Sequence, residues 1–257
     1  MATSPPKASM AVPTREIDKP LSAHLRRRFY TTATVGAAEG GFTVLLDGKA
    51  IHTPGKRPLA VPTTGLAEAM AGEWAGQGET IEPDSMPLTQ LANTAIDRMA
   101  AARPALEEDL LRYGGSDLLC YRAERPRELV ERQHRAWQPA LDWLAAHAGA
   151  DLVVTSGLMP IDQPETALEA LGRLVRAYDD WTLTAVQAAT AACGSLVLAL
   201  ALVEGQISAE EAFALAFLDD SYQMEQWGED GEAVARRDHL RDEVLAVGRF
   251  LALLDRR

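Results

Sequence analysis

Between Arg28 and Val61 the apolar residues fall in short β-branched and aromatic runs, with stretches of alternation, a pattern that predicts strands. Phe29-Tyr30-Thr31-Thr32-Ala33-Thr34-Val35 is β-branched and aromatic, and Phe42, Val44 and Leu46 alternate up to Asp47-Gly48, a dipeptide of tight hairpins. A return strand is expected over Lys49-Ala50-Ile51-His52-Thr53, closed by Pro54-Gly55, and Leu59-Ala60-Val61 adds a further short strand to a small antiparallel sheet. After Pro62 the period changes: Thr63 or Thr64 caps a helix whose Leu66, Met70 and Trp74 stand four apart and cover the sheet. Gly76, Gly78, Pro83 and Pro87 then break regular structure. The expected domains are a flexible tail over 1–25, a β-rich domain with one covering helix over 26–87, and a helical domain over 88–257.

Beyond that boundary the spacing is helical. Pro126 opens a stripe of Val130, His134, Trp137, Leu141 and Leu144, and Leu240, Val244, Val247, Leu251 and Leu254 line the last helix. Asp162-Gln163-Pro164-Glu165 and Ser208-Ala209-Glu210-Glu211 both read as capping boxes. Leu118-Leu119-Cys120-Tyr121 and Leu152-Val153-Val154-Thr155 are short strands or extended connectors. The fold class is therefore α+β, a small antiparallel β-rich part followed by a mostly helical one.

One segment mixes the two kinds of position. In a helix running through Phe217 to Trp227, residues Phe213, Phe217, Met224 and Trp227 share a face with Asp220. A carboxylate buried there without a partner costs several kcal/mol, so either an internal arginine (Arg98, Arg122 or Arg173) or another protein must meet it. Trp227 stands before the helix stop Gly228, with Glu225, Glu229, Asp230 and Glu232 around it, an aromatic anchor inside an acidic rim.

Composition narrows the function. A net charge of -12 argues against binding nucleic acid through its phosphates. Cys120 and Cys193 lie far apart and imply neither a zinc site nor a disulfide framework. The uncharged run from Leu183 to Val203 approaches bilayer length, but its alanines, its Thr184, Gln187, Thr190 and Ser195, and its flanking acids make it a buried central helix, without stable membrane insertion. The first 25 residues contain no apolar core of a secretory signal. Neither a phosphate-cradling glycine motif nor a nucleophile elbow around Ser156 is present, and the five histidines follow no metal-binding spacing. The best enzyme-like cluster is Asp230, Glu232, Asp238, His239 and Asp242, which could hold a divalent metal. Glu232 with Arg236 and Asp238 with Arg241 at helical spacings favour a salt-bridged face, and a metal-dependent enzyme using Asp230, Glu232, Asp238 and His239 is the alternative reading.

Arg28-Phe29-Tyr30, Leu46-Asp47-Gly48-Lys49, Thr53-Pro54, Glu73-Trp74 with Gln77, and Met86-Pro87-Leu88-Thr89 with Asn93 and Asp97 occur in that order. They are followed by Asp117 to Arg122, Gln133, Trp137-Gln138-Pro139 with Trp143, and Tyr222-Gln223 with Glu225-Gln226-Trp227-Gly228. This succession resembles the assembly chaperones of the F-type ATP synthase that hold the free alpha subunit before it pairs with beta. The resemblance implies a two-domain α+β protein that is not an enzyme, needs no cofactor, and keeps the alpha subunit from aggregating. It implies a cytoplasmic protein in a bacterium and a matrix protein in eukaryotic relatives. Partner contact is expected at Asp219, Asp220, Tyr222, Glu225, Trp227 and Glu229, with Trp74 either structural or part of the contact. Within the segment, Glu225 lies on the Leu218 and Tyr222 side and is the acid expected to touch a client, whereas Asp220 is the one expected to find an internal partner.

Overall fold

The computed structural model describes residues 26–157, 159–228 and 231–254; the predicted tail over 1–25 lies outside them. Strands β1 (Ala33–Ala38), β2 (Gly41–Leu46) and β3 (Lys49–Ala50) form an antiparallel sheet in that order, with Val35 opposite Val44. Asp47 and Gly48 carry φ of 48° and 78°, the two left-handed residues of a primed hairpin turn. The expected strand over Phe29–Val35 begins later, at Ala33. The N–H groups of Thr31 and Thr32 are taken by the carboxylate of Asp47 rather than by a ladder. The return strand is likewise two residues long, because Thr53 closes a tight turn by donating its N–H to the Arg57 carbonyl. Val61 joins β2 as a single bridge to Phe42. Gly41 is required at that bridge: a Cβ there would lie 2.2 Å from the Val61 carbonyl oxygen.

Helix α1 (Thr64–Ala75) is capped by Thr63, whose hydroxyl accepts from Leu66 N and donates to the Leu253 carbonyl at the far end of the chain. Glu73 on α1 caps α2 (Pro87–Thr94), accepting from Leu88 N, Thr89 N and the Thr89 hydroxyl at 2.7–2.9 Å. A widened π turn over Ala95–Met99 follows, and its Asp97 accepts from the Thr53 hydroxyl and Gly55 N, tying the sheet's outer loop to the helices. Then come α3 (Ala100–Gly115), a 3-10 turn at Leu118–Cys120, β4 (Tyr121–Arg122), α4 (Arg127–Ala148) and β5 (Thr155–Ser156), which pairs in parallel with β4. Next come α5 (Glu165–Ala177), α6 (Asp180–Cys193), α7 (Leu196–Val203), α8 (Ala209–Ala216) and α9 (Leu218–Trp227). The last helix is α10 (Gly231–Leu253), which packs on α2, α6 and α8.

Two expectations change here. The run from Leu183 to Val203 is mostly buried, but it is two helices. Gly194 takes φ of 66° to end α6, and Ser195 caps α7 by accepting from Leu198 N. Among the described residues no helix is long and apolar enough to cross a membrane. The Ser208–Glu211 capping box is formed in both directions. The Asp162–Glu165 one is absent: α5 starts after Pro164 with no side-chain cap, and Gln163 instead holds both the N–H and the carbonyl of Val153.

One apolar cluster runs from Val44 and Leu66 through Leu88 and Trp137 to Leu198 and Phe250. The join between α3, α6 and α7 is polar: Asp117 is fully buried and accepts from Leu119 N, the Ser195 hydroxyl and Val197 N at 2.8–3.0 Å. Burial raises its pKa to about 6 against those hydrogen bonds. The architecture is α+β, with a small N-terminal sheet and a helical remainder.

Candidate functional site

The helix predicted to pass through Phe217 is interrupted there. Phe217 adopts φ -104° and ψ 25°, so α8 ends at Ala216 and α9 starts a new axis. Phe213 and Phe217 still meet, their rings tilted with centroids 4.7 Å apart, and the predicted face continues along α9: Phe217, Asp220, Met224 and Trp227 border one groove, and Arg237 touches both Phe213 and Met224. On the new axis Leu218 and Tyr222 are buried and α9 packs on α4.

The face that borders the groove is the open one and the Leu218 and Tyr222 side is the buried one, so the two aspartates exchange roles. Asp220 is exposed and forms no ion pair among the described residues, with Arg98, Arg122, Arg173 or any other cation. Asp219 is the inward acid. The Gln133 side-chain amide donates to both its oxygens at 2.8 and 3.0 Å, and burial raises its pKa while that amide opposes the rise. Gln133 is itself fixed from behind, its carbonyl accepting from Arg122 Nη1 and its Oε1 from Ala123 N. Arg122 also donates to the Leu119 carbonyl and lies 5.2 Å over the ring of Trp137, whose indole N–H reaches the Leu215 carbonyl at 2.8 Å. The start of α9 is thus pinned to a buried polar chain that ends on α8.

Its far end is pinned by the neighbouring residue of α4. Arg132 meets Glu225 through two parallel hydrogen bonds of 2.7 and 2.9 Å, which hold the Glu225 carboxyl below its ordinary pKa. Trp227 follows at the helix end, 89% exposed, and Gly228 turns the chain away with φ of 88°. Beside it an open groove of about 400 Å³ between α9 and α10 is lined by Phe217, Asp220, Met224, Trp227, Arg236 and Arg237, among others.

The predicted residues therefore divide. Trp227, Glu225 and Asp220 face outward along α9, Asp219 and Tyr222 face the body of the protein, and Glu229 lies outside the described residues. Asp230 of the metal cluster lies outside them too. Among the described residues no three metal-ligating side chains converge. His239 pairs with Glu243 at 3.2 Å, while the anticipated pairs of Glu232 with Arg236 and Asp238 with Arg241 do not form among the described residues. Arg132 was not singled out by sequence, and no local pattern marks it, since its partner is 93 residues away.

Trp74 sits in a different place. It is half-buried against the sheet, its ring edge-on to Tyr30 at 5.7 Å, and its backbone carbonyl accepts from the Tyr30 hydroxyl at 2.7 Å. Replacing Trp74 by arginine removes that ring contact and brings a charge against packed apolar surface. A loss of about 2 kcal/mol in unfolding free energy is expected, read by urea denaturation; an unchanged midpoint would place Trp74 outside the packing.

Residues 27–145 match the family described as ATP12 chaperone protein. The mitochondrial protein atp12 of Schizosaccharomyces pombe is 26% identical over 233 residues, covering 85% of this chain and 80% of its own. The crystal structure of Atp12 from Paracoccus denitrificans superposes with a TM-score of 0.82 at 41% identity, covering 89% of this chain and 98% of that one. A protein from Agrobacterium tumefaciens superposes with a TM-score of 0.83 at 45% identity, over 90% of this chain and 87% of its own.

Proposed function

The chain belongs to the ATP12 chaperone family, and from that membership we propose that it serves assembly of the F-type ATP synthase by binding the free alpha subunit and preventing its aggregation until beta replaces it. The observation that carries the reading beyond the family is Trp227. Tryptophan is highly buried on average, and here it is 89% exposed at a helix end beside an apolar-walled groove. Tryptophan anchors ringed by polar groups dominate protein interfaces. In this reading Trp227 inserts into apolar surface that beta will later cover, with Asp220 and Glu225 at its rim, while Asp219 and Tyr222 hold α9 in place for them. Release needs only that the alpha–beta interface be the more stable one. The bacterial relatives at 41% and 45% identity are more similar than the yeast one, which supports a bacterial cytoplasm as the place of action.

The direct test is light scattering by purified alpha subunit, with purified beta as the control client. Alpha should stay dispersed at equimolar chaperone; the same aggregation rate with and without it would end the proposal. Trp227→Ala should weaken capture of alpha by about tenfold or more, with an unchanged melting temperature because the side chain is 89% exposed. Undiminished capture would remove Trp227 from the interface.

A further inference from the structure

We propose that the groove between α9 and α10 receives a carboxylate borne on an apolar stretch of the client, with Arg237 as its counter-charge and Trp227 as its wall; this rests on the reading that the outer face of α9 meets the client. Among the described residues Arg237 is held by soft contacts. Its Nη1 lies 3.6 Å from Met224 Sδ, its guanidinium stands 5.6 Å over the Phe213 ring, and its Nε is covered without an acceptor. Neither Arg236 nor Arg237 forms an ion pair among the described residues. Elsewhere Arg103, Arg112, Arg127 and Arg132 each sit against an acid of this chain, in a protein of net charge -12. Two adjacent guanidiniums without an ion pair among the described residues, amid so many carboxylates, form a place where an acid can still be added.

The walls specify what kind of acid. Phe217, Met224 and Trp227 offer apolar surface, and a planar guanidinium fork matches a carboxylate edge. Asp220 on the same groove repels an anion one helical turn from Met224 and so confines the carboxylate to the Arg237 end. A polyanion would meet the whole acidic surface, whereas a single Glu or Asp between apolar residues meets only the groove. Arginine and tryptophan side by side are also the pair most enriched among residues that dominate protein interfaces.

The test is an NMR titration of the full chain with acetyl-Leu-Glu-Phe-amide and its Gln counterpart to about 10 mM, a range suited to millimolar affinity. The Trp227 indole signal, assigned by its loss in Trp227→Phe, and the Arg237 Nε–H should move with the Glu peptide, with at least about tenfold weaker binding of the Gln peptide. Arg237→Gln should abolish the response and Arg237→Lys should retain part of it; if the former fails to fold, the latter alone still shows weakened binding. No movement, or equal movement with both peptides, overturns the proposal. So does self-association of the parent in sedimentation that Arg237→Glu removes, which would make a second copy the occupant. Alpha capture is measured beside it. If parent and Arg237→Gln capture alpha equally, this inference falls while the chaperone reading stands. If the parent captures no alpha, the reading falls, and the peptide titration alone decides what the groove takes.

Discussion

Truncating Trp137 to alanine is expected to lower the unfolding free energy by about 4 kcal/mol, within the range for fully buried large side chains. In a protein of this size that is a fall of about 8–16 °C in melting temperature. Trp137 has no exposed surface, its indole N–H is satisfied by the Leu215 carbonyl, and the Arg122 guanidinium lies over its ring. Alanine at once opens a cavity, orphans the carbonyl at the end of α8 and takes the aromatic face from a buried cation. Trp137→Phe keeps most of the volume and loses the hydrogen bond, so a drop of only about 1–2 kcal/mol is expected. Urea unfolding checks both. A loss under about 1 kcal/mol for the alanine variant, with an unchanged denaturant slope, would show that α8 and Arg122 close over the gap.

Asp117→Ala is expected to cost about 3 kcal/mol, because three donors, Leu119 N, the Ser195 hydroxyl and Val197 N, lose a buried acceptor and each orphan costs about 1–3 kcal/mol before relaxation. A change below about 1 kcal/mol would mean that water takes the place of the carboxylate. The site also has a pH signature. Burial raises the Asp117 pKa to about 6, above the value of roughly 4 in an unfolded chain. Between those values the folded state binds more protons than the unfolded one, so stability from this group is full below about pH 4 and is lost as pH rises through about 6. Asp117→Asn cannot ionise. The stability difference, parent minus Asp117→Asn, should therefore shrink as pH rises across that window; a difference flat with pH would contradict the buried, proton-holding environment.

Sequence carried the fold as far as local chemistry reaches. Asp47-Gly48 made its hairpin because both residues tolerate left-handed backbone, yet the side chain of Asp47 also captured Thr31 and Thr32, which no strand propensity foretells. Leu183 to Val203 read as buried from composition, but the bend at Gly194-Ser195 depended on a cysteine-ended helix meeting a serine cap that Asp117 completes from elsewhere. The aspartate assignment failed for a definite reason: helical phase tells which residues share a face but not which face packs inward, and the Phe217, Asp220, Met224 and Trp227 face borders an open groove while Leu218 and Tyr222 are buried. The exposed Trp227 was legible because Gly228 marks the helix stop. Its supports, Gln133 and Arg132, act across 86 and 93 residues and leave no periodic trace. The residues that carry the family resemblance, among them Glu73, Asp97, Asp117, Arg122, Gln133 and Trp137, turn out to cap, join and pack. They record how the scaffold is held more than where it touches a client.

The bond from Thr63 to the Leu253 carbonyl spans 190 residues. At about 5–20 residues per second on the ribosome, the cap of α1 emerges roughly 10–40 s before its partner is made. Through that interval α1 covers the sheet without α10, the helix whose end it meets through this bond. A nascent copy of this chaperone therefore passes through a period in which its own apolar surface needs shelter, and late truncations should be felt first in the part of the protein synthesised earliest.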